Sequence, residues 1–301
     1  MATPALTSLA VDLLFGEPPT ALHPTIAMGH WLGACQRRRR ATSRVGQLLE
    51  GAFAVAGGVV LTTIAAGAVQ PVLRVAPRDV RSQLLGAALK PALSLRALLA
   101  AARRVEQLLE RNRLADARRS LARDLVSRDT SRLSRTEIAG AAIESVAENL
   151  SDGLIGPFIA FRLAGLPAAY AYRMINTADA MLGYHTEELE WFGKAAAISD
   201  DLVNLIPARV TAALIAIAAP IGGGSVRAAK RIALRDAGNT TSPNAGWPMA
   251  AMAGALGVRL TKRGHYALNA GARAPRPSDI DRCCVIAMAV GGLAAVLADA
   301  L

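Results

Sequence analysis

The sequence predicts an all-α fold, a polytopic integral membrane bundle of about five spans with re-entrant segments and cytoplasmic helical insertions. Three observations predict it. Hydrophobic residues make up 52% of the 301 and charged residues only 19%, and mean hydropathy is +0.31, too apolar for a soluble domain of this size. Runs approaching the roughly 20 apolar residues that cross about 30 Å of hydrocarbon recur along the chain. Alanine and leucine dominate, no alternating strand pattern persists, and glycine and proline fall between the runs.

Taken in order, Ala5 to Phe15 is apolar but carries Asp12 and stops at Gly16, Glu17, Pro18 and Pro19. It lacks the basic start and small-residue cleavage site of a secretory signal, so it reads as a broken or re-entrant membrane segment. Gly51 to Leu73 contains no Asp, Glu, Lys, Arg or His and is long enough to cross. Leu84 to Ala102 is interrupted by Lys90 and Arg96, and Leu154 to Tyr172 by Arg162; these charges must snorkel or face protein. Val210 to Val226 and Cys283 to Ala298 are free of charge but shorter, and each needs a flanking turn. Arg103 to Asp124 sets apolar residues among arginines and acids and reads as a helical hairpin turning at 112–116, its basic face against anionic lipid or water. The whole chain, 1–301, is read as one membrane domain with a basic cytoplasmic helical insertion at 103–135 and a basic segment at 227–282.

The formal charge of +11 comes almost entirely from arginine. In a soluble protein that excess would suggest nucleic acid; here it lies in loops, and no nucleic-acid partner is expected. Arg37 to Arg40 with Arg44, and ten arginines between Arg103 and Arg135, place both segments in the cytoplasm by the positive-inside rule. That makes the expected location the inner (plasma) membrane, multi-pass, with membrane lipid as a partner. Cys35, Cys283 and Cys284 form neither a disulfide framework nor a metal spacing and read as packing residues.

Chemistry concentrates in five polar groups. Glu144, Glu148 and Asp152 are spaced by four, which aligns three carboxylates on one helix face. Such a row is equally a solvated face at a membrane surface and a site for a hard cation such as Mg²⁺. Arg173, Asn176 and Asp179 share a face at intervals of three. Asp200, Asp201 and Asn204 follow; for one of the two aspartates, capping of a helix start is the preferred explanation. The loop from Thr241 to Pro248 offers Ser242, Asn244 and Trp247 to a polar, planar ligand, within basic surroundings that suit phosphate or inner-leaflet lipid equally well. Asp12, Glu17 and His23 form an N-terminal group in which His23, preceding Pro24, reads as a turn constituent. Walker A, dinucleotide-glycine, zinc and serine-elbow signatures are absent.

Together the motifs resemble the CobD/CbiB family over nearly the whole chain: Gly16-Glu17-Pro18 with His23-Pro24; Glu144 to Asn149 with Ser151-Asp152-Gly153; Asn176 to Asp179 with Gly183-Tyr184; Phe192-Gly193 with Asp200-Asp201 and Ile206 to Arg209; Ser242 to Pro248 with Ala255 to Arg259. Met249 departs from the pattern, standing where the family leads one to expect an acid, and His185 stands where a basic residue is common. The resemblance implies a polytopic inner-membrane protein of cobalamin biosynthesis. It also implies ATP-dependent amide formation between adenosylcobyric acid and aminopropanol phosphate, giving adenosylcobinamide phosphate, with ATP and Mg²⁺ as cofactors and other enzymes of the pathway as further partners.

On that reading Glu144, Glu148, Asp152, Asp179, Asp200 and Asp201 are the catalytic carboxylates. Glu144, Glu148, Asp152, Asp200 and Asp201 are the metal ligands among them, and one carboxylate serves as base. Arg173, Lys194, Arg209 and Lys262 meet phosphate groups; Asn149, Asn176 and Asn204 contact substrate; Ser242, Asn244 and Trp247 meet the corrinoid or the nucleotide. A Mg²⁺-dependent intramembrane prenyl or phospho-alcohol transferase and a carboxylate-relay transporter are the rival readings. If Leu154 to Tyr172 crosses fully, the acidic stretch 173–201 faces outward, away from ATP. Either that stretch is re-entrant or the loop folds into a cavity reached from the cytoplasm.

Overall fold

The computed structural model describes residues 3–184 and 186–300. Among the described residues there are thirteen α-helices and one small hairpin: α1 (Pro4–Phe15), α2 (Pro24–Arg38), α3 (Arg44–Arg74), α4 (Arg78–Leu89), α5 (Leu95–Glu110), α6 (Leu114–Asp124), α7 (Arg135–Leu150), α8 (Gly156–Leu182), α9 (Lys194–Val203), α10 (Leu205–Ala218), α11 (Val226–Asp236), α12 (Gly246–Leu256), β1 (Leu260–Lys262), β2 (Tyr266–Leu268) and α13 (Pro277–Ala300). The protein is all-α in class. Among the described residues four helical stretches are long and apolar enough to cross a membrane: Arg44–Pro71, Arg135–Leu182, Leu205–Gly222 and Pro277–Ala300. The bent pair Val80–Ala92 and Leu95–Glu110, with 43° between them, makes a fifth if it is one span.

Sequence chemistry sets the helix starts. Pro4 and Pro24 occupy first helical turns, where a missing N–H costs nothing. His23 caps α2 through its ring Nδ1, which accepts from Thr25 N at 3.3 Å, so this histidine is a turn and cap constituent. Ser43 caps α3, Ser225 caps α11, and Ser134 with Glu137 forms a capping box on α7. The Arg103 to Asp124 segment is a helical hairpin, α5 and α6, turning through Asn112 at φ 57°.

The chain, read from sequence as one domain, divides into two compact units. Unit 1 comprises 1–94, 156–204 and 295–301. In it α3 packs on α8, α2 on both, α9 on α8 and α3, and α1 on α4. Its core includes Met28, Leu32, Met174, Leu182 and Phe192. The side chain of Asp299 caps α1, accepting from Ala5 N and Leu6 N at 2.9 Å each. Unit 2 comprises 95–155 and 205–294. There α12 packs between α10, α11 and α7, α5 lies against α6 and α7, and the antiparallel hairpin of β1 and β2 pairs Lys262 with Tyr266.

Two local departures from regular helix matter for the site. Ser151–Ile155 is π-helical, and its wider turn shifts the side chains after it out of α-helical phase. Ala164 and Gly165 are non-helical within α8, with Pro167 just beyond. The stretch read from sequence as Leu154 to Tyr172 is therefore interrupted near its middle.

Candidate functional site

In unit 2 a cavity of about 270 Å³ is lined by Arg128, Glu144, Ser145, Glu148, Met249, Lys262 and Tyr266 with four smaller contacts. Helix α7 supplies the acids one turn apart, the loop after α6 supplies Arg128, and the hairpin supplies Lys262 and Tyr266 from opposite positions on its two strands. Glu144 is 5% exposed. Its Oε2 lies 3.5 Å from Arg128 Nη2, while its Oε1 is buried with no hydrogen-bond partner. Glu148 is exposed. Ser145 Oγ donates to Leu125 O at 2.7 Å, and Asn149 Nδ2 donates back to Ser145 O at 2.9 Å, which fixes this face of α7 against the loop before Arg128. Burial first, and then the charges of Glu144 and Glu148, hold the Tyr266 hydroxyl well above the usual phenol range. It stays a donor, set beside Glu144 and 3.8 Å from the Met249 sulfur. Met249, the departure noted in the sequence, thus lines the same cavity as the two glutamates.

Glu144 and Glu148 share the cavity, but Asp152 lies on the π-turn and does not line it. Asp152 is the second residue of that turn, and the side chains that follow Ile155 are the ones moved out of α-helical phase. Among the described residues no group of three or more His, Cys, Asp or Glu side chains is gathered as a metal cage.

A second cluster lies in unit 1. Asp200 Oδ2 accepts from Asn204 Nδ2 at 2.9 Å, and Asp200 Oδ1 lies 3.5 Å from Asn176 Nδ2. Arg173 Nη1 donates to Asn176 Oδ1 at 3.2 Å, and Tyr172 Oη donates to Asn204 Oδ1 at 2.5 Å. Burial first, and then the nearby charge of Asp179, pushes the Asp200 carboxyl up to about 6; burial also raises Asp201. A Cβ at Gly183 would stand 2.0 Å from Asp179 Oδ1, so only glycine lets the chain turn against that carboxylate. The capping explanation for Asp200 or Asp201 fails. Helix α9 starts at Lys194 after Gly193 with no side-chain cap, and both aspartates lie in its last two turns, the end where a helix dipole disfavours negative charge.

The remaining sequence candidates are held by protein. Ser242 Oγ accepts from Asn244 N and Ala245 N at 3.2 Å each, at the start of α12. Arg209 lies 4.9 Å from the Trp247 ring centroid and donates to Leu205 O at 2.7 Å and to Asn244 Oδ1 at 3.3 Å. Ser242, Asn244, Trp247 and Arg209 are thus one preformed platform within unit 2. Lys194 lies 4.7 Å from the Trp191 ring centroid and 3.8 Å from Glu190. Sequence reasoning named Glu144, Glu148, Asn149 and Lys262 but passed over Arg128, Ser145 and Tyr266. Arg128 was counted only as one of ten loop arginines. No sequence signal marked Tyr266, which the short hairpin brings across from Lys262.

The family model described as CobD/Cbib protein matches residues 5–287. The Cobalamin biosynthesis protein CobD of Geobacter metallireducens is 45% identical over 261 residues, covering 85% of this chain and 80% of the relative. The protein of the same description from Dehalococcoides mccartyi is 38% identical, covering 93% and 91%, and that from Rhodobacter capsulatus is 39% identical, covering 92% and 90%. No solved structure matches the chain significantly. A model match over nearly the full length, relatives sharing up to 45% of their residues, and motif acids gathered around a charged cavity and in a second cluster lead to one conclusion: the chain belongs to the CobD/CbiB family of cobalamin-biosynthesis proteins.

Proposed function

We propose that the chain is an adenosylcobinamide-phosphate synthase, a C–N bond-forming ligase of the inner membrane whose arginine-rich segments 37–44 and 103–135 face the cytoplasm. It joins a propionate of adenosylcobyric acid to the amine of aminopropanol phosphate at the expense of ATP. The observation that carries the reading is the unit 2 cavity, where Glu144 and Glu148 stand with Arg128 and Lys262. A carboxylate acylates an amine poorly until its oxygen has been made a leaving group. In the proposed sequence a propionate oxygen attacks the γ-phosphorus of ATP, ADP leaves, and the acyl phosphate is then attacked by the free amine with loss of inorganic phosphate.

Arg128 and Lys262 offset charge on the transferring phosphoryl group and on the phosphate that leaves. Glu144, buried with one oxygen unfilled, takes the proton of the substrate ammonium and frees its lone pair for attack. Glu148 would offer an oxygen to Mg²⁺, which needs only one or two carboxylates when phosphates complete its shell, so this exposed glutamate fits it. When bound, the ion would neutralise phosphate charge. Asp152, Asp179, Asp200 and Asp201 are proposed as further oxygen ligands, Arg173 and Lys194 as phosphate contacts, and Asn149, Asn176 and Asn204 as amide contacts. The platform of Arg209, Ser242, Asn244 and Trp247 offers a flat face to the corrinoid or nucleotide.

Adenosylcobyric acid labelled with ¹⁸O in its free carboxylate tests the reaction in purified protein. The proposal expects one labelled oxygen in inorganic phosphate for each amide formed. Amide formation without ATP, or label found only in water, contradicts it.

A further inference from the structure

Within unit 1 a second cavity, of about 490 Å³, is enclosed by α2, α3, α8 and the end of α4. Its size falls in the range of roughly 300–1,000 Å³ typical of small-molecule pockets, but its chemistry is unlike that of the glutamate cavity. None of its lining side chains is charged. The three that carry polar atoms have already donated them to backbone: Trp31 Nε1 to Ala54 O at 2.8 Å, Thr62 Oγ1 to Gly58 O at 2.9 Å, and Tyr170 Oη to Ala88 O at 2.7 Å. A corrinoid amide, a nucleotide or a phosphate would be desolvated there with little in return. The occupant must be apolar.

The wall decides which apolar molecule is at hand. Helix α3 carries the span Arg44–Pro71, and only 22% of its most apolar stretch is buried within the protein. Leu61 and Val69 line the cavity yet are 50% and 40% exposed, and Val60 and Ile64 beside them are exposed as well. The mouth is therefore continuous with a surface that faces hydrocarbon. We propose that this cavity binds an acyl chain of a membrane phospholipid, which enters past Leu61 and Val69 and lies against Met28 and Met174. On α8 the lining residues Leu166, Tyr170 and Met174 follow one another at intervals of four, on the helix whose next turn carries Asn176 and Asp179. The bound chain supports the helix that presents the unit 1 cluster.

The test uses the full-length protein in phosphatidylethanolamine and phosphatidylglycerol vesicles containing phosphatidylethanolamine with a diazirine midway along one acyl chain. After photolysis, adducts are mapped by peptide mass spectrometry. The proposal expects adducts at the interior Met28 and Met174 in addition to the outward Phe53 and Ile64. In Ala27→Phe/Ala65→Phe, which fills the cavity from two exposed wall positions, interior adducts should fall about tenfold, the change that about 1.4 kcal/mol of lost affinity produces, while outward adducts persist. The wild-type map is decisive even if the double variant is not recovered. Adducts confined to the outward positions, interior adducts that survive the double substitution, or interior labelling by a diazirine fatty acid but not by the phospholipid would each overturn the proposal.

Discussion

Glu144 keeps one oxygen 3.5 Å from Arg128 and buries the other without a partner. A buried acceptor left unfilled costs about 1–3 kcal/mol, so Arg128, with Tyr266 and Lys262 nearby, makes the glutamate tolerable when substrate is absent. Arg128→Met should therefore destabilise the detergent-solubilised protein by about 2 kcal/mol, and adding Glu144→Gln should return most of that loss. Thermal unfolding of the two single variants and the double variant measures the coupling; strictly additive effects would show that the pair is not coupled. Asp200 makes the opposite kind of statement. Its carboxyl is raised from an ordinary 3.8 to about 6 by burial and then by Asp179, so the folded state holds the proton more tightly than the unfolded one. Its contribution to stability is fully present below about pH 4 and is lost as pH rises through about 6. Melting temperatures compared across that window should show Asp200→Asn gaining on wild type as pH rises; parallel curves would contradict the assignment.

Among the elements, α13 reaches α1 through the Asp299 side chain. Asp299 satisfies two orphan N–H groups at the start of α1, and Asp299→Ala should cost about 1 kcal/mol, as removal of a capping oxygen does, again read by thermal unfolding; no change in stability would mean that water replaces the cap. The apolar elements were the legible ones. Gly51 to Leu73 falls inside α3, Val210 to Val226 overlaps the span Leu205–Gly222, and Cys283 to Ala298 lies within α13, because composition and length alone decide a span. Strands of three residues fall below any alternating pattern, so the hairpin that carries Lys262 and Tyr266 was not legible. The π-turn at Ser151–Ile155 was hidden too, since its residues are ordinary in a helix. The reading of Asp200 or Asp201 as a helix cap failed for a related reason. Aspartates next to an apolar run resemble a cap until the preceding helix is seen to run through them.

At the scale of the whole molecule, the motif acids divide between units: Glu144, Glu148 and Asp152 in unit 2, and Asp179, Asp200 and Asp201 in unit 1. Sequence order conceals this, because the chain passes from one unit to the other between 155 and 156 and again between 204 and 205. The sidedness of the stretch before α9 follows from the proposed chemistry. ATP is cytoplasmic, and the break at Ala164 and Gly165 interrupts the helix that would otherwise carry the chain across. Thr186→Cys in an otherwise cysteine-free protein should resist an impermeant thiol reagent in intact cells and react once the cells are opened; labelling in intact cells would put this stretch outside. The most direct test of the central claim, that the glutamate cavity forms the amide, is the rate of adenosylcobinamide phosphate formation by purified Glu144→Gln, which keeps the shape of the side chain and removes its charge. The account predicts a fall of roughly 10²-fold or more at unchanged melting temperature, whereas a rate equal to wild type would remove the cavity from the reaction.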